Sequence, residues 1–96
     1  MTVNEFLREH RPKAGESVYT RIVCADGLVL SVQASSFSYS NPQADRMREY
    51  SAVEVMPVSR ARIRSLRKWY NGGVYANVPV SKVDALIAYH GGIANG

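Results

Sequence analysis

Among its 96 residues the chain has a single cysteine, Cys24. One cysteine excludes an internal disulfide and a cysteine-rich zinc site, and it points to a reducing, cytoplasmic setting. No apolar run approaches the roughly 18 residues of a membrane span. The longest, such as Ile22-Val23-Cys24-Ala25, are strand-length. The opening residues, Met1-Thr2-Val3-Asn4-Glu5, lack the apolar core of a secretory leader, so none is expected. The nucleophile motif Gly-x-Ser-x-Gly is missing, as are a glycine-rich phosphate loop and any His-x-x-x-His spacing. A domain of this length also has little room for a deep active-site cavity beside its core. We therefore expect no enzyme, no catalytic residues, no metal and no cofactor.

The scarcity that says most is of one charge sign. Between Glu54 and Asp84 there is no acidic residue, and that interval carries Arg60, Arg62, Arg64, Arg67, Lys68 and Lys82. The whole chain has 12 basic and 8 acidic residues, a net charge of +4, so the remainder is close to balanced. A local basic field attracts phosphates or an acidic protein surface, and it says nothing about fold.

What is present suits one globular domain over residues 1–96, with 46% hydrophobic and 21% charged residues. Thr2-Val3-Asn4-Glu5 fits a capping box, so a short helix is expected from Val3 to about Glu9, ended by Pro12 and Gly15. Ser17 to Ala25 and Leu28 to Gln33 are β-rich runs around Asp26-Gly27, which predicts a hairpin with a type I′ turn. Cys24 on that hairpin reads as a small buried hydrophobe. Ala34 to Glu49 is rich in serine, interrupted by Phe37 and Tyr39. So long a loop is either functional or partly helical near 43–48. Its aromatics either fold back onto the sheet or form an adaptable contact surface. Tyr50 to Met56 reads as a third strand, stopped by Pro57.

Ser59 is placed to cap a helix running to about Tyr70. At 100° per residue Ile63, Leu66 and Tyr70 share its inner face, while Arg60, Arg64, Arg67 and Lys68 gather on the other, with Trp69 at the border. The bland reading of those cations is a solvated face. The functional one is a contact for nucleic acid or an acidic protein, which arginine serves well because its planar head binds phosphate and carboxylate bidentately. Asn71-Gly72-Gly73 would end this helix. Val74 to Val80 reads as an edge strand because Pro79 lacks a donor. Ser81-Lys82-Val83-Asp84 resembles a second capping box, opening a helix through Leu86, Ile87 and Tyr89 that closes at His90 and Gly91-Gly92. His10 likewise sits at a helix carboxyl end, so both histidines read as structural. The sum is an α+β fold: a small antiparallel sheet (hairpin 17–33 plus strand 50–56) packed by two or three helices.

Three segments, Leu30-Ser-Val-Gln-Ala-Ser35, Tyr50-Ser-Ala-Val-Glu-Val55 and Val78-Pro-Val-Ser with Leu86 to Ile93, resemble small accessory proteins of bacteriophages and prophages. The resemblance implies an accessory protein in the cytoplasm of a bacterial host. Proteins of this size in that setting include anti-CRISPR inhibitors, which bind and occlude a host protein or a CRISPR–Cas nucleoprotein complex. No functional residue is carried over from the resemblance. Many such inhibitors are acidic DNA mimics, and the basic interval here departs from that pattern. The candidate partner-binding residues are therefore the sequence's own: Arg60, Arg64, Arg67, Lys68 and Trp69, with Phe37 and Tyr39 on the serine loop. The expected partners are a host protein or nucleoprotein complex, with nucleic acid or a second copy of the chain as alternatives, and no membrane.

Overall fold

Alternation of apolar and polar side chains drives the centre of the sheet. Along strand β2 (Val29–Gln33), Leu30 and Val32 are buried while Ser31 and Gln33 are half-buried. The computed structural model describes residues 1–60 and 62–96. It contains helix α1 (Val3–Glu9), strands β1 (Ile22–Val23), β2 and β3 (Ala52–Pro57), a 3-10 turn η1 (Arg64–Trp69), strands β4 (Tyr70–Asn71) and β5 (Val74–Pro79), and helix α2 (Val80–Tyr89). The five strands form one antiparallel sheet in the order β1-β2-β3-β5-β4. Val3, Phe6, Leu7, Leu66, Val83 and Ile87 share one core with Leu30, Val32, Val55 and Val78. Ser31 opposite Met56 and Gln33 opposite Glu54 lie on the other, wetter face. The expected α+β architecture is the observed one.

The α1 capping box forms as predicted. Thr2 Oγ1 accepts from the Glu5 amide at 3.2 Å, and the Thr2 amide donates to Glu5 Oε1 at 2.7 Å. That pairing, chiefly the bonds from Thr2, holds the Glu5 carboxyl below its usual range. The second predicted box does not form. The amide of Val80 already donates to Ser51 O at 3.0 Å, so α2 leaves β5 with no intervening loop, and Asp84 is free to accept from the Val3 amide at 2.8 Å. Asp84 thus caps α1 rather than its own helix. At the far end α2 closes as expected: Gly92 N donates to Ile87 O and Gly91 N to Ala88 O, the pair of bonds that satisfies a helix's last carbonyls.

Six further expectations need correction. The strand predicted from Ser17 pairs with β2 only at Ile22–Val23, with Cys24 bridging to Ile93, because the side-chain amide of Gln33 brackets the backbone of Tyr19 instead. The hairpin turn has three residues, Ala25-Asp26-Gly27. Gly27 takes a positive φ of 95° but Asp26 does not, so the turn is type I with a glycine bulge rather than type I′. Both central positions are positive at Gly72 (58°) and Gly73 (100°), which make the two-residue turn between β4 and β5 rather than a helix cap. β5 is internal, not an edge. Its Pro79 is tolerated because Val80 points its amide at Ser51, so the missing donor faces the side where β4, paired only at Val74 and Tyr75, does not reach. The segment 43–48 forms turns, with no helix.

The sixth correction is the largest. The helix predicted over 59–70 shrinks to η1, and Ala61 within it lies outside the described residues. Ser59 Oγ accepts from the Val29 amide at 2.9 Å and Val58 N donates to Val29 O, so this stretch prolongs the sheet instead of capping a helix. Ile63 is extended, and its amide donates to the buried hydroxyl of Tyr75 at 2.9 Å. Ile63 and Leu66 are buried as predicted. Tyr70 belongs to β4, meets Tyr75 edge-on at 5.5 Å between centroids, and is 49% exposed rather than packed inward.

Candidate functional site

The acid-free interval becomes an irregular arm, residues 58–60 and 62–63, that leads to η1. Two buried side chains, Ile63 and Leu66, fasten it to the core beside Tyr75. The cations on either side of those anchors face solvent: Arg60, Arg62, Arg64, Arg67 and Lys68 are all exposed. Helix α2 lies alongside and adds Lys82. Between arm and helix runs a groove of about 690 Å³, with Arg60, Arg62, Arg64 and Lys82 among its walls and Ile63, Leu66 and Leu86 in contact with it. A second, shallower groove of about 570 Å³ adjoins it across Arg64 and Lys82, and takes in Arg67, Lys68 and Trp69.

Among the described residues, none of these cations forms an ion pair. The ion pairs among the described residues are Arg8–Glu49 and Asp26–His90, and neither uses a cation of this face. Arg62 lies over the Tyr70 ring and Lys68 over the Trp69 ring, each 5.6 Å from the centroid. Such contacts orient a cation without neutralising it.

The far end of the main groove is rigid. His90, buried at the end of α2, places Nδ1 2.6 Å from Asp26 Oδ2, and its carbonyl accepts from the Asp26 amide at 3.2 Å. Asp26 Oδ1 also accepts from the Leu28 amide. These bonds, the one to His90 first, hold the Asp26 carboxyl below its usual range, with Arg60 adding a smaller pull. Gly91 lies so close to the hairpin turn that an added Cβ would stand 2.9 Å from Ala25 Cβ. Tyr89, the residue before His90, lines the groove with its side chain 86% exposed.

Arg60, Arg64, Arg67, Lys68 and Trp69, the residues predicted from sequence, therefore come together on one face. Phe37 and Tyr39 do not join them. Phe37, 89% exposed, borders a separate cavity of about 240 Å³ with Tyr19 and Arg46. Tyr39, 49% exposed, is held by its backbone, which donates to Glu54 and accepts from Asn77. Neither aromatic folds back to pin the loop; the buried Tyr50 does, donating its hydroxyl to Ala44 O at 2.7 Å. His10 stacks on Phe6 at 4.0 Å, remote from His90's partner Asp26. Burial pushes the Cys24 thiol up and away from reactivity. Arg62, Lys82, Tyr89 and His90 were missed as site residues. The seven-residue spacing of Lys82 and Tyr89, which puts both on one face of α2, was the available signal.

Among the described residues, no helix is long and apolar enough to cross a membrane. Comparison with protein-family models, curated proteins and solved structures returns no match of any of the three kinds.

Proposed function

We propose that the protein acts by stoichiometric binding, docking its basic face on the anionic surface of a host nucleoprotein complex and occluding it. The observation that carries this reading is the convergence of Arg60, Arg62, Arg64, Arg67, Lys68 and Lys82 around two adjoining grooves with no ion pair among the described residues. A solvated face needs charge, but it has no need of one sign only, nor of arginine over lysine. The sequence resemblance to phage accessory proteins supplies the setting, an anti-CRISPR-like inhibitor inside a bacterial cell. The sign of the face disfavours mimicry of DNA. A second reading, direct binding of nucleic acid without a host protein, is favoured by the exposed ring of Tyr89 beside the cations.

The triple substitution Arg60→Glu, Arg64→Glu, Arg67→Glu tests the reading. All three side chains are exposed, so circular dichroism is expected to be unchanged. Capture of a purified CRISPR–Cas complex should weaken by roughly 2–5 kcal/mol if desolvated charges are lost from the contact. A folded triple variant that captures the complex with unchanged affinity overturns the proposal.

A further inference from the structure

The groove between the arm and α2 combines two chemistries. Arg60, Arg62, Arg64 and Lys82 supply charge, and Ala85, exposed on α2 above the buried Leu66 and Leu86, supplies apolar surface beside them. A site that met only a phosphate rail or a carboxylate patch would use the cations and leave the apolar surface idle. Tyr89 adds a ring that is 86% exposed at the groove wall. The ring meets His90 edge-on, 5.3 Å between centroids, and His90 is itself bonded to Asp26 at 2.6 Å. An aromatic face presented to solvent in the same groove as several cations is the arrangement by which proteins stack bases and track a backbone together.

We propose that this groove takes single-stranded nucleic acid, one base stacking on Tyr89 and the flanking phosphates lying on Arg60, Arg62, Arg64 and Lys82. The inference rests on the reading of the basic face as a binding surface and names what that surface holds. A duplex hides its base faces inside its own stack, so the Tyr89 ring and the apolar surface would have nothing to meet. An acidic peptide would satisfy the cations and leave the ring without a partner. RNA and DNA single strands share the chemistry this groove can read, which is backbone charge and a π face.

Fluorescence anisotropy with short labelled oligo(U) and oligo(dT), a blunt duplex of equal length and polyglutamate tests the proposal on the intact protein. Both single strands should bind more tightly than the duplex or polyglutamate. If four cations neutralise phosphates, the slope of log affinity against log salt should be about −3. Tyr89→Ala should weaken single-strand binding roughly ten-fold, and Tyr89→Phe should restore it, because stacking needs the ring and not the hydroxyl. The exposure of Tyr89 keeps both variants folded, which circular dichroism checks. Equal binding of all four probes, with Tyr89→Ala unchanged, overturns this inference and leaves the basic-face reading standing. Binding of none of them, while the triple arginine variant still loses the CRISPR–Cas complex, also overturns it and returns the face to protein docking. If no probe binds and the triple variant keeps that complex, both readings fall.

Discussion

Two long stretches that join the main elements, the serine loop 35–49 and the arm with η1 (58–60 and 62–69), are both polar and both exposed in large part, yet they treat their polar groups in opposite ways. The loop turns its groups inward on one another. Ser35 Oγ and Ser38 Oγ lie 2.8 Å apart, Asp45 accepts from the amide and hydroxyl of Ser36, and Arg8 pairs with Glu49 at 2.8 Å. The arm is tied to the sheet through Val58, Ser59 and Ile63 and anchored by two apolar side chains, and among the described residues it leaves its cations with no ion pair. Polarity alone therefore does not mark a contact surface. What marks it is polar chemistry that the fold does not use up. By that measure Phe37 and Tyr39 sit on a stretch whose hydrogen bonding is largely internal, whereas Arg60 to Lys68 sit on one whose charge remains available.

That contrast can be broken experimentally. The loop depends on Tyr50, whose ring is buried and whose hydroxyl bonds both Ala44 O and Met47 N. Tyr50→Ala is expected to destabilise by roughly 3–5 kcal/mol in chemical denaturation, at the scale of other buried aromatic truncations. Leu66→Ala should cost about 2–5 kcal/mol by the same measurement, since it removes an anchor of the arm from a filled site. A near-neutral Leu66→Ala would mean that the arm is not fastened by its apolar side chains. Acid should act next. Asp26 has its carboxyl pKa lowered in the fold, so its contribution is present above its unfolded value and lost as pH falls through the lower folded one. Relative to wild type, Asp26→Asn should be less stable near neutral pH, and the gap should close below about pH 4. A gap that stays constant down to acid pH would remove Asp26 from the linkage. The smallest effect belongs to the cations: single reversals such as Arg67→Glu should move stability by about 0.5 kcal/mol or less. A large loss there would show that the arm's charges hold the fold together, and the contrast with the loop would disappear.

Features set by neighbouring residues were legible in the sequence. The Thr2–Glu5 capping box, the hairpin around Gly27, the strand ending at Pro57 and the glycine close of α2 all follow from groups within a few positions of one another. What misled was local plausibility overruled from a distance. Ser59 has the chemistry of a helix cap, but the Val29 amide, thirty residues away in sequence, takes its hydroxyl. Asp84 sits where a capping box would want it, yet it serves α1. The spacing of Ile63 and Leu66 suits a turn of three residues as well as one of 3.6, and the Tyr75 hydroxyl decides between them. The candidate site divides along the same line. Its charge was visible as a run without acids. Tyr89 was not singled out, because periodicity places a residue on a helix face without saying what, if anything, covers that face.

The bond from the Val3 amide to Asp84 spans 81 residues, that from Val23 to Asn95 spans 72, and the Asp26–His90 pair spans 64. Helix α1 and the first hairpin are thus synthesised early and completed late, since each waits for a partner near the other end of the sequence. Long-range closures of this kind raise contact order and slow the search for the native state. A growing chain that has made α1 and β1–β3 still lacks the Asp84 cap, the Asn95 clasp and the His90 latch. Its apolar strands remain only partly covered until the last helix emerges. Completion of α1 and of the first hairpin therefore waits on residues 84–95, which supply the partners both of them use.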